Sequence, residues 1–204
     1  MDESALQKEL DELKSRAAEL ENRLGSVEAN QDWRATEYYA AYYATTGFML
    51  GMVAAVASLL VNIIGSLAIG QHPLRLVQVY LTFPVGEKAL SLDSGVALAI
   101  GCCLYIGTGA LLGILFQLVL TRLASEGTFV TRFLVATGLS LAVWVIGFYL
   151  ILAWLQPALF GGNWIIDEIP WVIGAGTHLV FGWTMAALYP LGLYTPYRRE
   201  TEKA

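Results

Sequence analysis

The sequence is poor in charge. Only 14% of its 204 residues are Asp, Glu, Lys or Arg, whereas 56% are apolar; a water-soluble domain carries about a quarter charged residues. An ordinary soluble fold is therefore excluded, and the composition points to a bilayer. The little charge present is unevenly spread. Fifteen of the 29 charged residues fall in the first 37 positions, ten acids and five bases, while the other 167 residues balance at seven of each. The net charge of −5 thus belongs to the N-terminal segment. No basic patch suited to nucleic acid exists, so no nucleic-acid partner is expected.

Cysteine and histidine are equally scarce. The two cysteines, Cys102 and Cys103, are adjacent within an apolar run, which gives no CxxC spacing and no means of stapling loops. Adjacent residues of a helix diverge by about 100°, so at most one of them can face an interior; both read first as small packing residues. The histidines are His72 and His178, too few for a metal site with several protein ligands. HExxH, GxSxG, a glycine-rich phosphate loop and paired catalytic carboxylates are all missing. Asp167 and Glu168 are neighbours only in sequence, and ahead of Pro170 they suit the start of a helix. The expectation is a protein that is not an enzyme, with no catalytic residues, no metal and no bound cofactor. The acidic opening Met1-Asp2-Glu3-Ser4 lacks a basic region followed by a short apolar core, so no cleavable signal peptide is expected.

The charged N-terminal segment does contain a pattern. Leu6, Leu10, Leu13, Ala17, Leu20, Leu24 and Val27 recur in alternating steps of four and three, the seam of a heptad repeat. With Leu6, Leu13, Leu20 and Val27 at d, a parallel pair would set Glu9 against Lys14, Arg16 against Glu21 and Arg23 against Glu28. All three pairings are opposite in sign, whereas an antiparallel pair would oppose Arg16 to itself and Glu21 to itself. A parallel homo-oligomer through residues 4–28 is expected; an isolated helix held by its own charge pairs is the alternative. Gly25 and Asn30-Gln31-Asp32 weaken the helical pattern, so a short hinge is expected before the membrane, near the headgroup-seeking Tyr38, Tyr39, Tyr42 and Tyr43.

Four charge-free intervals follow, 38–74, 94–121, 133–166 and 169–197, each exceeding the roughly 20 residues a helix needs to cross a bilayer. The reading is an all-α polytopic membrane protein: a cytoplasmic coiled coil (1–29), a juxtamembrane linker or helix (30–45), a four-helix transmembrane bundle within 46–197 and a cytoplasmic tail (198–204). The spans are expected near 46–69, 95–120, 131–155 and 171–194. Lys and Arg flanking the spans number six on the side of the two termini and two on the other, which places both ends in the cytoplasm. The connection 71–94 contains a polar stripe, Arg75, Gln78 and Thr82, on an otherwise apolar helix. It is expected either to lie on the outer leaflet as an interfacial helix or to cap the bundle.

Glycine is abundant in the spans, where close van der Waals approach must replace the hydrophobic effect in bringing helices together. Gly47, Gly51, Gly109, Gly113, Gly174, Gly176 and Gly182 are expected on faces that point into the bundle. Gly107-Thr108-Gly109-Ala110-Leu111-Leu112-Gly113 resembles Gly176-Thr177-His178-Leu179-Val180-Phe181-Gly182, and Thr46-Gly47 echoes Thr137-Gly138, so the chain reads as two copies of a helical hairpin or as a chance match among small residues.

No acid or base lies centrally in any span, which argues against proton pumps, ion-coupled carriers and voltage sensors. Counted inward from the outer ends, Asn62, Cys102, Cys103 and His178 lie roughly 10–12 Å down and Tyr149 nearly so, and the five define a candidate buried polar layer. His178 is the candidate cofactor-binding residue, for metal, haem or quinone; the structural alternative is a hydrogen bond to Asn62 or to a backbone carbonyl. A haem held by His72 and His178 together would need both rings at one height, and their depths differ by about one and a half turns.

The glycine-rich four-span pattern resembles that of small bacterial membrane proteins, without residues diagnostic of a named family. The functional expectation is a self-associating scaffold or accessory subunit in the bacterial inner membrane, its partners being the bilayer, copies of itself and other membrane subunits. A small channel or transporter with a path past Asn62 and His178 is the alternative, and a haem- or quinone-binding subunit a further one.

Overall fold

The computed structural model describes the backbone of residues 3–93 and 95–194, and the side chains within it apart from 3–8, 11 and 25–38. Every element is helical: α1 (Glu3–Ala68), α2 (Arg75–Val85), a 3-10 turn (Glu87–Ser91), α3 (Val96–Ala124), α4 (Phe129–Val145), a π-helical segment (Ile146–Leu152), α5 (Ala153–Phe160), α6 (Trp164–Glu168), α7 (Trp171–Leu188) and a closing 3-10 turn (Tyr189–Gly192). Four stretches are long and apolar enough to cross a membrane: Tyr39–Ala68, Val96–Ala124, Phe129–Phe160 and Trp171–Gly192. The chain divides into two compact units, Met1–Ala41 and Tyr42–Ala204.

In the first unit the backbone stays helical through Gly25 and Asn30–Asp32, so the expected hinge is not a break in the helix. The reason is energetic: one glycine costs a helix about 1 kcal/mol and a polar residue less, too little to end a long helix. Leu10, Leu13, Leu20 and Leu24 are 45%, 58%, 61% and 63% exposed, and Ala17 is exposed as well. Leu6 and Val27 of the seam lie outside the described side chains. Arg16 pairs with Glu12 at 2.9 Å and Arg23 with Glu19 at 2.7 Å, both within the helix.

The second unit is a bundle whose exterior is as oily as its interior. Ile64, Leu111 and Leu134 are each 64–66% exposed, an exterior suited to lipid. Inside, helix contacts are made by small residues. Gly47 and Gly51 of α1 face Gly109 and Gly113 of α3: a Cβ on Gly47 would stand 2.6 Å from the Gly113 carbonyl oxygen, and one on Gly51 2.5 Å from that of Gly109. Backbone meets backbone there, with Ala54, Ala55, Phe116, Phe181 and Met185 closing the core beside it. On α7, Gly182 packs on Ala136 and Ser140 of α4, and Gly174 on Trp144. Gly176 differs from the expectation, for a Cβ there would meet nothing within 4 Å. It lies two residues from Gly174, about 200° round the helix, and so on another face.

Local signals set the ends of the elements. Thr128 caps α4, its hydroxyl accepting from the Thr131 N–H at 3.3 Å. Gly161, at φ 80°, closes α5 in a left-handed conformation that other residues resist, and its N–H returns to the Pro157 carbonyl at 3.0 Å. The connection 71–94 folds into the bundle: Val77, Gln78, Val79, Leu81 and Thr82 of α2 are buried. Its polar stripe is spent inwardly, with Gln78 Nε2 donating to the Leu92 carbonyl at 2.6 Å and Arg75 bridging Glu168 at 2.7 Å. Because the Arg75–Glu168 pair is partly exposed, Glu168→Gln is expected to cost about 0.5–1 kcal/mol, with the loss shrinking in high salt; denaturation at two ionic strengths checks this.

Candidate functional site

At the end of the bundle that carries α2 and α6 the helices enclose a cavity of about 570 Å³, within the roughly 300–1,000 Å³ usual for small-molecule sites. Its walls are mostly hydrocarbon and aromatic, with Leu76 and Phe83 from α2, Leu112 from α3 and Phe181 from α7 among them. Leu104, 47% exposed, and Thr108 also line it. Leu104 lies eight residues into α3, about 12 Å along the helix.

The π-helical segment forms the wall opposite, through Gly147, Phe148 and Leu152. A π turn inserts an extra residue and re-aims the side chains beyond it. Phe148 turns inward and meets His178 edge-on, ring centroids 5.8 Å apart, while Tyr149 is 45% exposed. The regular helix expected over 131–155 could not foretell this.

The polar groups fall into two small networks. In one, the Ser58 hydroxyl donates to the Thr177 carbonyl at 2.9 Å and lies 3.2 Å from the Tyr105 hydroxyl, while Thr177 Oγ1 reaches Asn62 Oδ1 at 3.2 Å. In the other, Tyr80 and Thr108 hydroxyls stand 2.6 Å apart, and Thr108 also donates to the Leu104 carbonyl at 3.0 Å. Tyr80 and Tyr105 meet edge-on at 5.9 Å and link the two.

The expected layer of Asn62, Cys102, Cys103, Tyr149 and His178 does not assemble. Cys103 and Tyr149 are exposed, and Cys102 is half-buried against Leu59, Val77, Leu81 and Leu98 instead. Equal depth was a necessary condition for a layer, but helix rotation decides which way each side chain points. Asn62 bonds the Ser58 carbonyl at 2.8 Å and Thr177, the neighbour of His178. His178 lines the cavity, and its Nδ1 lies 2.8 Å from the Gly174 carbonyl one turn back on its own helix. His72 is occupied elsewhere, with Nδ1 accepting from the Leu74 N–H and Nε2 on the Asp93 carbonyl, both at 3.1 Å. Ser58, Tyr80 and Tyr105 join the networks without a place in the expected layer. The only sequence signal was the i, i+3 spacing of Tyr105 and Thr108, which puts two hydroxyls on one helix face.

Among the described residues no group of three or more His, Cys, Asp or Glu could hold a metal ion. Compared with protein-family models, curated proteins and solved structures, the chain matches none.

Proposed function

We propose that the chain is a non-enzymatic integral membrane protein that assembles as a parallel homo-oligomer through residues 4–28 and serves as a scaffold or accessory subunit. The observation that carries this reading is the seam of α1: four leucines in heptad register, 45–63% exposed, on a helix otherwise covered by charge. Burying one leucine from water stabilises by about 1.5–3 kcal/mol, and a second copy offers a matching stripe. The charges also favour a copy as partner. The intrahelical pairs of Arg16 and Arg23 are largely exposed, so they cost little to exchange for the Glu residues of a facing helix. The excess of Lys and Arg in the flanks on the side of the two termini, Arg122 and Arg132 included, supports a cytoplasmic side for both; the setting in this reading is the bacterial inner membrane.

The test is the mass of the full-length protein in detergent. Leu13→Asp with Leu20→Asp is expected to reduce the oligomer to the mass of one chain while leaving the helical content of the bundle intact. An unchanged mass, together with unchanged capture of membrane partners after deletion of residues 1–29, would refute this role for the N-terminal helix.

A further inference from the structure

We infer that the cavity between α2, α3, the π-helical segment and α7 is a binding site for a hydroxyl-bearing, otherwise apolar molecule taken up from the lipid phase. The inference rests on where the hydrogens of the polar lining groups go. A carbonyl oxygen can only accept, so the 2.8 Å contact of His178 Nδ1 with the Gly174 carbonyl requires the proton on Nδ1. Nε2 of the neutral ring is then a lone-pair acceptor, on a residue that lines the cavity.

The hydroxyls follow the same rule. Thr108 gives its proton to the Leu104 carbonyl, so in the 2.6 Å pair it is Tyr80 that donates. Ser58 gives its proton to the Thr177 carbonyl, so Tyr105 donates to Ser58. The hydrogens of Tyr80, Tyr105, Thr108 and His178 Nδ1 are thus committed, and what Tyr80, Tyr105 and His178 still offer is lone pairs. A ligand whose head carries only acceptors, such as an ether, ester or quinone carbonyl, bonds these groups only by breaking one of the contacts they already make. A head with an O–H, such as an isoprenoid alcohol or a hydroquinone, bonds their lone pairs directly. A buried polar head without a partner is costly, so the site discriminates by chemistry as well as by shape.

The remaining features match such a guest. The volume of about 570 Å³ exceeds what a few waters need, and the walls away from these groups are apolar. The opening by Leu104 and Thr108 lies along α3 within the hydrocarbon zone, so entry is from the bilayer.

Radiolabelled geranylgeraniol and its methyl ether, matched in tail and differing in one O–H, are the probes, bound to the full-length protein in phosphatidylcholine nanodiscs. The alcohol is expected to bind at least tenfold tighter than the ether. His178→Phe and Tyr80→Phe are each expected to narrow that ratio to threefold or less while the ether's own affinity holds. Leu104→Trp, at an exposed position, is expected to abolish binding of both by closing the mouth. Equal affinity for the two probes, binding of neither, a ratio undiminished in both the His178 and Tyr80 variants, or full binding to the Leu104 variant would each overturn the proposal.

Discussion

Replacing Gly113 by valine is expected to destabilise the bundle by on the order of 3 kcal/mol or more. The position has no room for even one carbon: a Cβ would fall on the Gly47 carbonyl oxygen and stand 2.5 Å from Gly51 Cα and 2.9 Å from Gly51 N. Comfortable carbon contacts lie near 3.5–4.0 Å. These neighbours are backbone atoms of α1, which cannot swing aside like the end of a side chain, so the two helices must separate. Separation removes the close approach that makes them associate in lipid at all. Gly107→Ala is the control, since a Cβ there meets nothing within 4 Å; it should be neutral or stabilising by up to about 1 kcal/mol. Reversible unfolding in mixed micelles measures both, and equal behaviour of the two variants would remove the glycine contact from the account.

Gln156→Leu should lose about 2–3 kcal/mol although it replaces a polar residue by an apolar one of similar size. Gln156 is fully buried and both ends of its amide are employed: Nε2 donates to Thr82 Oγ1 at 3.0 Å, and Oε1 accepts from the Ile165 N–H at 3.0 Å. It thereby ties α5 to α2 and α6, the elements that close one end of the cavity. Leucine would leave the Ile165 N–H buried and unbonded. Gln117 is the counter-case, also fully buried, but with neither amide atom bonded to a described residue. Gln117→Met should therefore leave stability unchanged or raise it by up to about 1 kcal/mol. The same micelle unfolding reads out both, and a loss at 117 equal to that at 156 would show that burial, and not the hydrogen-bond inventory, governs these glutamines.

These two predictions bracket what the amino-acid order reveals. The four long apolar stretches are legible because crossing a bilayer imposes one minimum length on every helix. Their observed ends differ from the expected ones where caps set them, as at Thr128 before α4 and Gly161 after Phe160. The glycine pairs at 47/51 and 109/113 could be noticed from spacing alone; which helix met which could not. The cavity was hidden for a different reason. It depends on a π-helical segment at Ile146–Leu152, and nothing in Ile-Gly-Phe-Tyr-Leu-Ile-Leu announces an extra residue per turn. Depth alone groups His178 and Asn62 with Cys102, Cys103 and Tyr149, of which the last two are exposed. The related heptapeptides at 107–113 and 176–182 do share surroundings at their ends: Gly107 and Gly176 meet open space, and Gly113 and Gly182 meet another helix closely.

The whole account rests on four crossings of the membrane, an even number, and side-specific reporters fused in turn to Met1 and to Ala204 test it most directly. Reporters active only in the cytoplasm are expected to work at both ends, and reporters active only outside it at neither. Ends reporting opposite sides, or a fusion recovered from the soluble fraction without detergent, would contradict it.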